Sequence, residues 1–404
     1  MGTTPHTMSS LLSAPGKPPI LNTIVGLTNL GNTCFLNSAL QALLRCSPLV
    51  AHFLTQDVAV REGSNKKEMV AAFHTLIRDF WGVVPKAHQR PSLAPGGFLA
   101  SMYKVLQEAD EDWHSRGRQS DASEAITKLL EYLHDAMYYT VTMGTKGVAV
   151  TSSHSSQVKA IDSWRRFFEK EYSPIVRNFY GLTRSAVTCD VCGTCSESFE
   201  PFLTLKAPIP GAELEGGTVP TLSMCLKEAF HAEVIPDYDC STCKKKGKAT
   251  KQETLTYLPP VLLLSLKRFV RIPTARGEES RKVRGKVEWD LDETDFSAHR
   301  SFVRDPITGL KGEDLREASK YTTVAVLEHS GTMEFGHYEM YSRSENSWIH
   351  CNDSSVVDVR SDAVITKDSY VVVMVLKNAR AEMEATAIAA IQKLRASQAP
   401  AESA

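Results

Sequence analysis

The chain of 404 residues holds no run of about 18 apolar residues, the least a membrane-spanning helix needs, so no span is expected. It has no excess of either charge: 46 Lys+Arg stand against 47 Asp+Glu, for a net charge of −1. A balance this even supplies no global field to draw the molecule to nucleic acid or to an anionic bilayer, and neither partner is expected. The first residues, MGTTPHTMSSLLSAPGKPP, lack the basic start and apolar stretch of a secretory signal. Gly2 follows Met1, but His6 stands where N-myristoylation needs Ser or Thr. Internal repeats are absent. So is an even cysteine count: there are nine, at 34, 46, 189, 192, 195, 225, 240, 243 and 351. An odd number without a secretion signal argues for a reducing compartment, cytoplasm or nucleus, and for catalytic or metal roles rather than disulfides.

What is present is an ordinary globular composition, 42% apolar and 23% charged, on a chain long enough for a sizeable core. Residues 1–20, rich in Ser, Thr and Pro, read as a disordered lead-in. Helical spacing of apolar residues follows over 34–45, 71–81 and 121–133, the last opened by Asp121 and Glu124 in capping-box fashion. Residues 141–160 are small and polar and read as a loop or insertion. Beyond about residue 175 the pattern turns to strands: Leu182–Thr188, Thr254–Leu258, Val261–Leu266, Thr322–Leu327, His337–Ser342 and Tyr370–Leu376. Helices first and strands second predict an α+β architecture, not a doubly wound parallel sheet. From Asn378 onward an Ala-rich helix frays into the C-terminus.

The chemistry concentrates in GLTNLGNTCFLNSALQALL, residues 26–44. Cys34 lies where a polar Gly-containing run meets a helix carrying Leu36, Leu40, Leu43 and Leu44. Free backbone N–H groups and the positive end of the helix dipole favour a thiolate there, and the thiolate is the nucleophile. Asn29 and Asn32 offer amides nearby. A buried structural cysteine is the plain alternative. Such a thiol needs a base. His337, between a Gly-bracketed loop and a strand, is placed to reach across a cleft, and Asn352 or Asp353, in the turn after Trp348, could accept from its imidazole. Cys189-x-x-Cys192 and Cys240-x-x-Cys243 have the spacing of a four-thiolate zinc ribbon, with Cys195 as a rival for Cys192. The basic run at 244–251 reads as a solvated hairpin tip.

Taken together, these segments resemble the ubiquitin-specific protease family. Residues 26–44 match its Cys box, EHSGTMEFGHYEMYSR with WIHCNDSSV its His box, and RQSDASEAITKLLEYLHD its Gln-Asp box. SPIVRNFYGLTRSAVTCDVCG, SFEPFLTLKAPIP and LPPVLLLSLKRF resemble the segments between, in the family's order, over residues 25 to 377. Phe35, Ser120 and Ala125 depart from the usual Tyr, Gln and bulky apolar residue. The resemblance implies a papain-like cysteine protease over residues 21–377. Its helical thumb would cover about 25–175, its β fingers about 183–260, and its palm 176–182 and 261–377. A C-terminal tail would follow over 378–404. By position, Cys34 would be the nucleophile, His337 the base and acid, Asn352 the third member and Asn29 the oxyanion amide. Gln119 and Asp121 would contact the basic tail of ubiquitin. Cys189, Cys192, Cys240 and Cys243 would hold one structural Zn2+. The implied activity is thiol-dependent hydrolysis after the C-terminal Gly of ubiquitin, acting on ubiquitinated proteins or chains. The rivals are a catalytically weak ubiquitin-binding scaffold and a protease for a ubiquitin-like modifier. Nothing in the pattern fixes an oligomeric state.

Overall fold

The computed structural model describes residues 25–55, 57–83, 91–109, 119–144, 152–210, 219–274, 277–332, 335–344 and 347–398. The expected lead-in over 1–20 and the last residues of the frayed terminus lie outside them.

The helices of the first half are α1 (Cys34–Leu44), α2 (Ser47–Thr55), α3 (Lys67–Gly82), α4 (Gly96–Glu108), α5 (Ala122–Met137), α6 (Ser152–Phe168) and α7 (Pro174–Phe179). Every residue of α1 is buried. A helix apolar nearly all round belongs in the middle of a domain, and α1 packs between α5 and the central sheet. Its two large polar residues hold the incoming chain: Asn37 Nδ2 donates to Leu27 O (3.3 Å) and Gln41 Nε2 to Val25 O (2.9 Å). Trp81 Nε1 donates to Leu44 O (2.8 Å), satisfying a carbonyl the helix end leaves open.

Short strands β1 (Gly26–Leu27) and β2 (Ser92–Leu93) pair in parallel beside α1. The strands β3 (Gly181–Cys189), β4 (Cys195–Phe202), β6 (Glu233–Asp239) and β7 (Lys246–Tyr257) form an antiparallel sheet ordered β4-β3-β7-β6. The large sheet takes β5 (Thr204–Ala207), β8 (Val261–Leu266), β12 (Lys320–Gly331), β13 (Gly336–Ser344), β14 (Ser347–Asn352), β15 (Ser355–Val359) and β16 (Ser369–Leu376), ordered β15-β14-β13-β12-β16-β8-β5, with β11 (Thr294–Asp295) on β12. All its pairs are antiparallel except β5 with β8. A hairpin of β9 (Phe269–Thr274) and β10 (Gly277–Lys282) projects after β8. Helices α8 (Leu222–Ala229), α9 (Gly312–Glu317) and α10 (Arg380–Gln398) complete the chain.

Side chains alternate across a strand, so VLLLSL and YVVVMVL fill both faces of the large sheet. Val261, Leu263, Val371, Val373 and Val375 join the helical core. Leu262, Leu264, Leu266, Val372 and Met374 build a second core on the opposite face. The mixed architecture agrees with the α+β expectation.

One expectation fails. Residues 152–160, read as loop, belong to α6. Ala160, Trp164 and Phe168 line its buried face at i, i+4 and i+8. Its serines conceal the pattern because they are spent on a strand: Ser156 Oγ donates to Glu197 (2.6 Å) and Ser163 Oγ to Phe199 O (2.9 Å).

Candidate functional site

The loop before α1 winds around one side chain. Asn29 Oδ1 accepts from the backbone N–H of Gly31 (3.0 Å) and Thr33 (3.2 Å), and from the Thr33 hydroxyl (3.2 Å). Gly31 and Asn32 adopt left-handed φ values of 104° and 51°, a conformation glycine and asparagine tolerate best. The turn delivers Cys34 to the first position of α1, where it is 1% exposed. Burial raises the thiol above its ordinary value and the Asp353 charge adds to that, against the backbone N–H groups of Tyr338, Phe35 and Cys34 itself. The helix start therefore does not by itself make a thiolate. Desolvation outweighs the amides.

Asp353, at φ 48° in the turn between β14 and β15, clamps that loop to the sheet. Its carboxylate accepts from Asn29 Nδ2 (2.9 Å) and Asn37 Nδ2 (2.7 Å), and its carbonyl from Leu27 N (2.8 Å). The side chain that meets His337 is Asn352, whose Oδ1 lies 2.9 Å from His337 Nε2. An amide oxygen only accepts, so Nε2 carries the proton and Nδ1 is left as the basic nitrogen. Among the described residues, the side-chain hydrogen bond to Cys34 Sγ comes from Gln119 Nε2 (3.8 Å), and none joins Sγ to His337.

Gln119 spans the cleft. Its Nε2 donates to Gly336 O (2.7 Å) and its Oε1 accepts from Gly336 N (3.2 Å), next to His337. Asp121 caps α5: Oδ1 accepts from Ser123 N (2.8 Å) and Glu124 N (3.0 Å), while Oδ2 accepts from the Tyr370 hydroxyl (2.7 Å). Both carboxylate oxygens thus serve the fold, a duty the capping pattern foretold for one of them. Sequence reasoning passed over Asn37, Tyr370 and Glu339. The last has a legible signal: His337, Glu339 and Tyr341 alternate along one strand, as His350 and Asn352 do along the next.

At the far end of the four-stranded sheet the sulfurs of Cys189, Cys192, Cys240 and Cys243 lie within 4.8 Å of one another. Cys195 is outside the group. Two equivalent turns build it. Gly193 N donates to Cys189 O (2.8 Å) and Lys244 N to Cys240 O (2.9 Å), with Gly193 and Lys244 left-handed at φ 70° and 56°. The basic run begins at this turn and continues into β7. Cys192 is drawn down to about 6 by the Thr194 hydroxyl and N–H. Cys243 moves the other way, to about 11: the Lys245 amide lowers it, but desolvation and hydrogen bonds to its sibling sulfurs prevail. Four thiols this close cannot all ionise without a cation, and a four-sulfur set suits zinc.

Solved structures with this fold include the SAGA DUB module of Ubp8, Sgf11, Sus1 and Sgf73 bound to monoubiquitin. It aligns over 91% of this chain and 72% of that one, with a TM-score of 0.65 and 21% identity. Rat ubiquitin carboxyl-terminal hydrolase 21 is 30% identical over 372 residues, covering 86% of this chain and 60% of that protein. Human ubiquitin carboxyl-terminal hydrolase 2 is 32% identical over 365 residues, covering 86% and 54%. Chicken ubiquitin carboxyl-terminal hydrolase 2 is 31% identical over 373 residues, covering 88% and 94%. The chain thus spans little more than half the length of the two mammalian proteins. The family model for ubiquitin carboxyl-terminal hydrolase matches residues 25–373, from the Asn29 loop through Asn352 to the central strand β16, and the chain belongs to that family.

Proposed function

We propose that this chain is a thiol-dependent deubiquitinase, hydrolysing the peptide or isopeptide bond after the C-terminal Gly of ubiquitin. One observation carries the reading: a buried thiol at the start of α1 packs against β13, whose His337 pairs with Asn352 of β14 in a tautomer that leaves a basic nitrogen. The mechanism must respect the raised Cys34 thiol. With the thiol protonated at rest, substrate exchanges the Gln119 contact for the scissile carbonyl. His337 Nδ1 then takes the Sγ proton as the S–C bond forms. Asn29 Nδ2 has two hydrogens. The bond to Asp353 orients the amide and leaves the second for the oxyanion, beside the Cys34 N–H. The imidazolium gives its proton to the leaving lysine amine as the C–N bond breaks. Water then attacks the thioester, passes a proton to His337, and releases the ubiquitin carboxylate and the thiol.

The four cysteines would hold Zn2+ as a structural crosslink, with every ligand position taken by sulfur and none open for catalysis. An odd count of nine cysteines suits a reducing cytoplasmic or nuclear setting. Ubiquitin-AMC hydrolysis and a covalent ubiquitin-propargylamide adduct at Cys34 test the proposal. Non-covalent binding alone would mark a scaffold. Preferential cleavage of a modifier-derived substrate would mark a protease for a ubiquitin-like protein.

A further inference from the structure

The face of the large sheet that carries His337 also carries a row of polar groups across three strands. Strand β12 sets Glu328 opposite Glu339 of β13. Met340 pairs with Cys351 and Tyr341 with His350, so the antiparallel register brings Glu339 opposite Asn352 of β14. Side chains two apart share a face, which puts His337, Glu339 and Tyr341 beside His350 and Asn352. The contacts follow that register. Asn352 Nδ2 donates to Glu339 Oε1, while Asn352 Oδ1 meets His337 Nε2 at 2.9 Å. Glu339 Oε1 is 3.9 Å from His337 Nε2, and its Oε2 is 3.4 Å from His350 Nε2. His350 in turn stacks on Tyr341 at 4.6 Å.

We propose that Glu339 is a positioning residue of this site: its carboxylate holds Asn352 by the amide nitrogen and so fixes which ring nitrogen of His337 carries the proton. An Asn side chain can be turned end for end at little steric cost. Turned over, it would offer N–H to the imidazole and favour the wrong tautomer. A carboxylate on its far side accepts only, which leaves Nδ2 one orientation and Oδ1 the other. The same contact accounts for Asn rather than Asp at 352. An Asp there has no hydrogen to donate and would face Glu339 as a second carboxylate. Burial, opposed by the Thr366 hydroxyl and reinforced by the Asp368 and Glu339 charges, pushes Glu328 up to about 7, which eases its repulsion with Glu339 opposite.

The inference rests on the catalytic reading above, and its test separates the two. In the full chain, Glu339→Ala should lower kcat for ubiquitin-AMC about ten- to hundredfold with KM little changed, the size expected for a charge-assisted hydrogen bond. Glu339→Gln keeps an accepting oxygen and should retain more activity than the Ala variant. In an Asn352→Ala background the Glu339→Ala change should cost less than about twofold, because the two act as one unit. Asn352→Asp should be impaired, and adding Glu339→Gln should recover several-fold. Nitrogen-15 NMR of His337 in Cys34→Ala protein reads the tautomer without any turnover. It should show Nε2–H with Glu339 present and a shift towards Nδ1–H in Glu339→Ala. An unchanged tautomer, a Glu339→Ala enzyme of near wild-type kcat, or an equal loss with and without Asn352 would each overturn the proposal. A wild-type protein that cleaves no ubiquitin substrate would defeat the catalytic reading while the tautomer measurement still decided the role of Glu339.

Discussion

The cleft and the cysteine cluster use the same parts to opposite ends. Each presents sulfur from an irregular turn with left-handed residues and nearby backbone N–H groups, Gly31 and Asn32 in one, Gly193 and Lys244 in the other. In the cleft a single thiol is buried, and loss of water raises it. In the cluster Cys192 is exposed, and local donors pull it down to about 6. Cys46 and Cys225, buried outside the cluster, follow the first rule, at about 12 and about 11. Within the cluster hydrogen-bonding company decides, lowering buried Cys240 and raising the more exposed Cys243 to about 11. Position at a helix start is therefore a weaker determinant of thiol chemistry than exposure and company. The regions also differ in how their turns are held. A cation shared by four sulfurs would fasten the knuckles. The Cys34 loop is fastened by one carboxylate, that of Asp353, 324 residues along the chain from Asn29.

Breaking the cleft should have the largest effect. Cys34→Ala should abolish ubiquitin-AMC hydrolysis with the fold intact by circular dichroism, and turnover near the wild-type rate would refute the nucleophile assignment. The raised thiol adds a sign. Below its pKa the thiolate fraction climbs about tenfold per pH unit, so iodoacetamide should modify Cys34 of the free protein slowly at neutral pH and faster up to and beyond pH 9. Fast, pH-independent alkylation at pH 7 would mean that His337 already holds the proton in the free protein.

The cluster comes next. Zinc should be found at one atom per chain. Cys189→Ser or Cys240→Ser, or a strong chelator, should lower the melting temperature markedly, because ligand loss removes folding free energy directly. Metal-free protein with four freely titrating thiols and an unchanged melting curve would leave the knuckles held by backbone alone.

Much of this was legible beforehand for a physical reason: periodicity reports burial, and burial is what most of these segments do. The leucines of α1 and the nearly continuous apolar runs of β8 and β16 have one reasonable use each. What stayed hidden depends on partners distant in sequence. Ser156 and Ser163 look like loop residues until β4 lies beside them. Asp353 looks like a spare member of the catalytic set, yet its carboxylate is turned to Asn29 and Asn37. For Cys34 the helix dipole favours a thiolate and burial opposes it, and only the first is read from the segment itself, because the extent of desolvation depends on what packs around it.

Asp353 offers a sharper version of the comparison. Asp353→Ala should leave two amide donors without their acceptor and cost about 1–3 kcal/mol, seen as a lower denaturant midpoint together with reduced kcat. Asp353→Asn tolerates the left-handed backbone and keeps an acceptor, so it should recover part of both. A change in kcat alone, with stability intact, would move Asp353 from clamp to chemistry.

Asp121 should give the smallest effect and the cleanest separation of fold from substrate. Its Oδ1 caps α5 and its Oδ2 takes the Tyr370 hydroxyl proton, so Asp121→Ala should cost about 1 kcal/mol for the cap and somewhat more for the stranded phenol. Asn is as good a cap as Asp, and with its one oxygen kept on the cap its Nδ2 can donate to the Tyr370 oxygen where Oδ2 accepted, so Asp121→Asn should hold most of that stability while removing the charge. If the carboxylate also pairs with an arginine in the ubiquitin tail, the Asn variant raises KM, by about fivefold at most for a solvent-screened pair, and leaves kcat and the melting temperature nearly unchanged. A KM equal to wild type in Asp121→Asn, beside a lowered melting temperature in Asp121→Ala, would confine Asp121 to the helix cap and leave recognition of the tail to other residues.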